Sequence, residues 1–165
     1  MFLVDTNIWL ELLLDQEKAT DVRRFLETHE SSQLAITEFS LYSMGIVSTR
    51  LRKHEVFTDF PADTLEHSRV RLIRLDVAGL KEVVDAQRRF GLDFDDAYEY
   101  VAASKHNLTL LSFGSDFDRT ELGRKTPADA LASSGSSTTS EVEASDRRPV
   151  ARGKIYTGPI TTAET

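Results

Sequence analysis

Short apolar runs alternate with longer amphipathic segments along the first 127 residues of the chain. The runs suit buried strands, whereas the longer segments repeat apolar positions at helical spacing. Strands alternating with helices predict an α/β fold, in which a central, mostly parallel sheet of short strands is flanked by helices in three layers. The predicted strands are Phe2–Val4, Leu34–Ile36, Val70–Leu75 and Leu108–Leu111.

Residues that can cap helices stand where the helical patterns begin and end. Thr6 and Thr37 each follow a predicted strand and are the expected N-caps of two helices. Asp76 is placed to cap a later helix, and Gly91 is suited to end it in the left-handed conformation. Asp93 opens the next helix.

The composition changes near residue 128. Serine and threonine dominate the following segment, which has too few apolar residues to form a core. We therefore predict a folded domain over residues 1–127 and a low-complexity, disordered tail over residues 128–165.

Charge and cysteine content exclude several classes of protein. The absence of cysteine excludes disulfide scaffolds, thiolate catalysis and cysteine-based zinc sites. A net charge of −7 argues against nucleic-acid binding through the overall field of the protein. No apolar run approaches the length of a membrane span, and no signal peptide is recognised, so we expect a cytoplasmic protein without membrane contact.

Acidic residues recur at the ends of the apolar runs. Asp5 and Glu38 each follow a strand, a group of acids lies at Asp93–Asp96, and Ser112–Phe117 follows the last strand. In parallel sheets ligands bind outside the carboxyl ends of the strands, so these segments are expected to meet. Carboxylates brought together in this way suit a divalent metal such as Mg²⁺.

Each acid also has a plainer explanation. A single Asp or Glu at a helix start can serve as a cap or as a first-turn acid that interacts favourably with the helix dipole. Three acids within four residues, at Asp93, Asp95 and Asp96, would repel one another unless a cation lies nearby. Helix capping therefore explains any one of these acids better than it explains all of them together.

The ordered set of motifs resembles the PIN-domain family, and within it the VapC-type toxin ribonucleases of toxin–antitoxin pairs. The resemblance extends from Met1 to about Arg124. It is carried by Leu3–Leu10, Ile36–Glu38, Asp96–Ala103, Leu110–Ser112 and Asp116–Phe117.

The resemblance implies a PIN-like fold and a metal-dependent endoribonuclease that uses Mg²⁺ or Mn²⁺. It also implies an RNA substrate, a cognate antitoxin and a homodimer. Asp5 and Asp96 would be metal ligands, and Glu38 would complete the acidic cluster. Supporting hydrogen bonds would come from Thr6, Asn7 and Ser112, although capping and turn formation explain these three equally well.

Gly114 departs from the family pattern, which usually has an acid at this position. Either the ion binds through the remaining acids, or the loop bends and Asp116 replaces the missing carboxylate. The loss of an acid also keeps open a non-catalytic PIN fold that binds RNA or protein without cutting. A metal-dependent DNA nuclease is a third, weaker alternative.

Overall fold

A computed structural model of the protein describes residues 1–134. Four strands form one sheet in the order β3-β2-β1-β4, and all neighbouring strands are parallel. The strands are β1 (Phe2–Val4), β2 (Leu34–Thr37), β3 (Arg71–Ile73) and β4 (Thr109–Leu111). The prediction of an α/β fold on a parallel sheet is confirmed.

Seven α-helices in the described part of the chain flank the sheet. They are α1 (Thr6–Leu13), α2 (Ala19–Thr28), α3 (Glu38–Arg50), α4 (His54–Pro61), α5 (Val77–Phe90), α6 (Phe94–His106) and α7 (Pro127–Ser134). None of the helices in residues 1–134 has the length and apolarity needed to cross a membrane.

Apolar side chains on both faces of the sheet form two layers of core. Alternate residues of a strand point to opposite faces, and in β1 Val4 packs in one cluster while Leu3 packs in the other. Trp9 is fully buried in the first cluster, where its indole N–H donates to the Val4 carbonyl at 3.1 Å. Burial on both faces explains why β1 and the apolar part of β2 are short, continuous apolar runs, whereas β3 contains Arg71 and is largely exposed.

Most of the predicted caps are present. The Thr37 hydroxyl accepts from the Ser40 N–H at 2.9 Å, and Gly91 ends α5 with a φ of 65°. The prediction for Thr6 is wrong, because Thr6 is the first residue of α1 and Asp5, in an extended conformation, is the N-cap.

Helix α7 corrects the predicted domain boundary. Residues 127–134 are helical, and Pro127 occupies the first helical position, where its fixed φ is favourable. Ala130 is 1% exposed and belongs to the core cluster. The fold therefore extends through Ser134, since an alanine-rich turn can pack against a helix without large side chains. The rest of the predicted tail, residues 135–165, lies outside the described residues.

Candidate functional site

Asp5 stands at the carboxyl end of β1, where the sheet ends and α1 begins. Its backbone N–H donates to the Leu111 carbonyl of β4 at 3.0 Å, which fixes the turn beside that strand. The side chain is buried, and one oxygen, Oδ2, accepts from Asn7 Nδ2 and from Ser112 Oγ, both at 2.6 Å. The carboxylate is therefore held in a fixed orientation by two neighbouring segments.

The loop after β4 completes this arrangement. Ser112 Oγ accepts from Asn7 Nδ2 at 3.0 Å and from the Gly114 N–H at 2.9 Å, while its own proton goes to Asp5. The Phe113 N–H donates to Asn7 Oδ1 at 3.1 Å. Asn7 and Ser112, which are 105 residues apart in the chain, are thus in direct contact around Asp5.

Asp96 lies in the first turn of α6 and is electrostatically close to Asp5. Burial, followed by the negative charges of Asp5 and Asp95, raises its pKa to about 6. Burial also raises the pKa of Asp5 to about 6, although the Ser112 hydrogen bond opposes this change. Two acids that oppose each other's ionisation would both be stabilised by a cation between them.

Glu38 forms its contacts toward the β3 edge of the sheet. Its carboxylate forms an ion pair at 3.0 Å with Arg74, which follows β3, and accepts a hydrogen bond from the Tyr42 hydroxyl at 2.6 Å. Asp5 instead contacts the loop after β4, at the opposite edge of the sheet. The hydrogen bonds and ion pairs of the described residues do not join Glu38 to Asp5 or Asp96, and its part in the site stays a prediction.

The segment from Gly114 to Asp116 has an ordinary backbone. Gly114 has a φ of −69°, a value open to any residue. A Cβ there would lie 3.4 Å from Ser112 Oγ and 3.6 Å from Asn7 Nδ2, so a side chain would enter the site at normal contact distance.

Asp116 pairs with Arg119 at 2.7 Å and is about half exposed, yet its charge also raises the pKa of Asp96. Asp116 therefore lies at the rim of the acidic group. The backbone at Gly114 does not adopt the glycine-specific bend that was one of the two alternatives for bringing Asp116 into the site.

Glu99 is a buried acid that the sequence analysis did not identify. It lies one turn after Asp96 on α6 and is 1% exposed. Its Oε1 accepts from Thr37 Oγ1 at 2.6 Å and from Ser40 Oγ at 2.5 Å. Thr6 Oγ1 in turn donates to Ser40 Oγ at 3.0 Å, so this predicted site residue contacts the network of Glu99.

The pKa of Glu99 reflects its position beside the other acids. Burial and then the negative charge of Asp5 raise it to about 8, although the two hydroxyl donors oppose this change. Only its spacing of three residues from Asp96, which places both on one helix face, could have revealed it from sequence. An acid among the apolar residues of α6 gives no other signal.

The donor chemistry of this acidic group suits a hard divalent cation. The groups that affect one another are all carboxylates, and oxygen ligands are those that Mg²⁺ prefers. Glu99 Oε2 is buried and has no hydrogen-bond partner in the described residues. Within residues 1–134, no three His, Cys, Asp or Glu side chains lie close enough to form a complete metal site by themselves. Mg²⁺ commonly binds through one or two carboxylates and waters, so the residues fit such an ion.

Solved structures of similar fold include a toxin and a toxin–antitoxin complex. VapC20 of Mycobacterium tuberculosis, a sarcin–ricin loop cleaving toxin, has 14% identity and a TM-score of 0.66, covering 76% of this chain and 98% of that one. A toxin–antitoxin complex from Klebsiella pneumoniae has 21% identity and a TM-score of 0.60, with 77% and 98% covered. FitAcB from Neisseria gonorrhoeae has 16% identity and a TM-score of 0.61, with 78% and 99% covered.

Sequence comparison identifies the family. No curated protein matches the sequence. The PIN domain, however, matches residues 2–122, which include every strand of residues 1–134 and the whole acidic group. The chain therefore belongs to the PIN domain family.

Proposed function

We propose that the protein is a metal-dependent endoribonuclease, with Asp5 and Asp96 as the ligands of a divalent ion. The observation that carries this proposal is the buried Asp5 carboxylate, held by Asn7 and Ser112 and electrostatically coupled to Asp96. Hydrogen bonds from the backbone N–H groups of Thr6 and Asn7, at the start of α1, also lower the pKa of this carboxylate.

The side chains of the site have distinct roles in this proposal. Asn7 and Ser112 orient Asp5. The hydrogen bond from Ser112 stabilises the charged carboxylate and so lowers the pKa of Asp5. Asp96 supplies the second carboxylate from the start of α6. Asp116, at the rim, and Glu38, as the further predicted acid, add negative charge near the carboxyl end of the sheet. A divalent ion bound here, Mg²⁺ or Mn²⁺, would polarise the phosphate and activate the attacking water.

The toxin role is proposed from the relatives. The solved structures of similar fold include a sarcin–ricin loop cleaving toxin and a toxin–antitoxin complex. We accordingly propose an RNA substrate, a cognate antitoxin that binds this chain, and action in the cytoplasm. We also propose a homodimer, which sedimentation equilibrium would report as twice the chain mass of 18.5 kDa.

Cleavage assays on two variants test the enzymatic role. Asp5→Asn and Asp96→Asn should each reduce Mg²⁺- or Mn²⁺-dependent RNA cleavage by at least about 100-fold, since even indirect supporting residues of metal sites contribute 10- to 100-fold. Asp93→Asn is the matched control, because asparagine caps a helix as well as aspartate does. Wild-type rates in both ligand variants would overturn the proposal, and a parallel assay with DNA would reveal a preference for that substrate.

A non-catalytic PIN fold is the second candidate, and Gly114 is the observation that favours it. The space beside Asn7 and Ser112 accepts a side chain, and the backbone at this position does not require glycine. If the missing acid impairs the site, Gly114→Asp should increase cleavage at least tenfold, with Gly114→Asn as the uncharged control. An active wild type that gains nothing from Gly114→Asp would exclude this candidate.

A further inference from the structure

Two aromatic side chains and one arginine at the carboxyl end of the sheet are exposed and have no part in the proposed chemistry. Phe94, at the start of α6, is 44% exposed, and Tyr42, in α3, is 59% exposed. The side chain of Arg74, which follows β3, is 77% exposed. We call these three residues the aromatic–basic patch. Exposed aromatic side chains that lie together commonly mark a binding surface.

Ring contacts connect Phe94 to the start of α3. Phe94 packs against Phe39 with their ring centroids 5.6 Å apart, and Phe39 stacks on Tyr98 of α6 at 5.3 Å. Phe94 precedes Asp96 by two residues, and Phe39 directly follows Glu38. The exposed ring of Phe94 therefore lies where the start of α6, which carries Asp96, meets the start of α3.

Glu38 holds the other two members of the patch together. The Tyr42 hydroxyl donates to Glu38 Oε1 at 2.6 Å, and Arg74 Nε pairs with Glu38 Oε2 at 3.0 Å. Tyr42 and Arg74 are neighbours because they bind the two oxygens of one carboxylate. Phe39 precedes Tyr42 by three residues on α3, so Tyr42 adjoins the ring contacts of Phe94. A guanidinium has five N–H donors, so Arg74 can bind a second anion besides Glu38.

Strand register places Arg74 at the same edge of the sheet as Asp5. The pairing of β1 with β2 and of β2 with β3 brings Asp5 and Ile73 to one level across the sheet. Arg74 follows Ile73, and neighbouring strands lie about 4.8 Å apart, so its backbone is roughly 10 Å from that of Asp5. The Leu75 N–H donates to the Tyr98 hydroxyl at 3.0 Å, which fixes this segment against α6. A short oligonucleotide bound over Asp5 can therefore reach the patch.

The acidity of the chain makes such a local contact necessary for an RNA substrate. A net charge of −7 repels phosphates, so individual cations have to bind them. Arg119 and Arg124, which follow β4, have side chains that are 48% and 18% exposed and pair with nearby aspartates. Arg74 is more exposed than either, and it alone of the three adjoins exposed aromatic rings. Proteins bind single-stranded nucleic acids with this combination, in which bases stack on aromatic rings and cations contact phosphates.

We propose that the aromatic–basic patch binds the single-stranded RNA next to the phosphate that is cut. Bases stack on Phe94 and Tyr42, and Arg74 binds a phosphate of the same strand. The inference rests on the RNA substrate of the proposed function, but it concerns the binding of RNA and not the cleavage step.

Fluorescence anisotropy of a labelled single-stranded RNA tests the role of Arg74. The full-length protein is used in EDTA, so that binding is measured without metal-dependent cleavage. Arg74→Gln should weaken binding, and it should reduce the slope of log affinity against log salt by about 0.7, the value for one phosphate contact in a single strand. Arg71→Gln is the matched control, because it removes the same charge from the opposite end of β3 and should leave affinity and slope at the wild-type values.

The same assay tests base stacking on Phe94. Phe94→Leu should weaken binding about fivefold or more without changing the salt slope, because stacking on an aromatic ring contributes at least that factor. Phe94→Tyr keeps the ring and should bind like wild type. Matching melting temperatures for the two variants would show that the loss comes from stacking and not from the fold. With Mg²⁺, Arg74→Gln and Phe94→Leu should raise KM more than they lower kcat, as expected for contacts away from the reacting atoms.

The possible results distinguish the inference from the proposed function. Wild-type RNA binding by both Arg74→Gln and Phe94→Leu, in a protein that still cuts RNA, would overturn the inference alone. Weakened binding by both variants, in a protein that does not cut RNA, would support the inference and overturn the enzymatic role. Unchanged RNA binding with loss of self-association in sedimentation would assign the patch to a protein interface and overturn the inference, as would a wild type that binds no RNA at low salt.

Discussion

At the scale of single residues, the candidate site is a group of acids whose charges oppose one another. The position of Asp5 after a strand and of Asp96 at a helix start drew attention to these two acids, whereas the roles predicted for Asn7 and Ser112 came from the resemblance to the PIN-domain family. Glu99 could not be identified in either way, because its burial depends on hydroxyls that β2 and α3 bring to it across the fold. A helical periodicity predicts which face is apolar, but it does not predict an acid that is buried by contacts from another element.

The raised pKa values predict how the metal-free protein responds to pH. Asp5 and Asp96 titrate near 6 and Glu99 near 8 in the folded state, well above their ordinary values. Between about pH 4 and 8 these three groups hold more protons in the folded protein than in the unfolded chain, so their contribution to stability falls as pH rises. Thermal unfolding in EDTA should show the melting temperature decreasing from pH 5 to 8.5, and Glu99→Gln should flatten the upper part of that range. A melting temperature that rises between pH 6 and 8 would contradict these assignments.

At the scale of elements, the sheet and most of its helices follow from patterns that the sequence displays directly. Apolar runs predicted β1, β2 and β4, and an alternating pattern predicted β3. The caps at Thr37, Asp76 and Gly91 were placed correctly. Element ends were less predictable. The strand predicted over Val70–Leu75 is reduced to Arg71–Ile73 because only those residues pair with β2.

The start of α3 should be more sensitive to cap removal than the start of α5. Thr37 both caps α3 and donates to Glu99, whereas Asp76 only caps α5 by accepting from Gly79 at 2.7 Å. Losing a cap costs about 1 kcal/mol, and losing the second, buried hydrogen bond adds about 1 kcal/mol or more. Urea unfolding should therefore show Thr37→Ala losing about 2 kcal/mol and Asp76→Ala about 1 kcal/mol. Equal losses would mean that the contact with Glu99 does not stabilise the fold.

At the scale of the whole molecule, the fold extends past the boundary that composition predicted. Helix α7 packs against the core with small residues. Such a helix is difficult to recognise from composition, because alanine and serine are also common in disordered tails. The family match ends at residue 122, so α7 lies beyond it. Neither composition nor resemblance could have located the end of the domain.

Two truncations test where the folded domain ends. Removal of residues 135–165 should leave the melting temperature within about 2 °C of the full-length value. Removal from Pro127 onward also deletes the buried Ala130 and should lower it by about 5 °C or more, because losing roughly 2 kcal/mol of apolar burial shifts a domain of this size by that amount. Equal melting temperatures for the two truncations would show that α7 is dispensable.

The most direct test of the central claim is the rate of RNA cleavage with and without a divalent metal. Wild-type protein should cut RNA with Mg²⁺ or Mn²⁺ and stop when EDTA is added, while Asp5→Asn and Asp96→Asn should stay at background with either metal. Cleavage that persists in EDTA, or that both variants retain at the wild-type rate, would contradict a metal-dependent nuclease built on these two carboxylates.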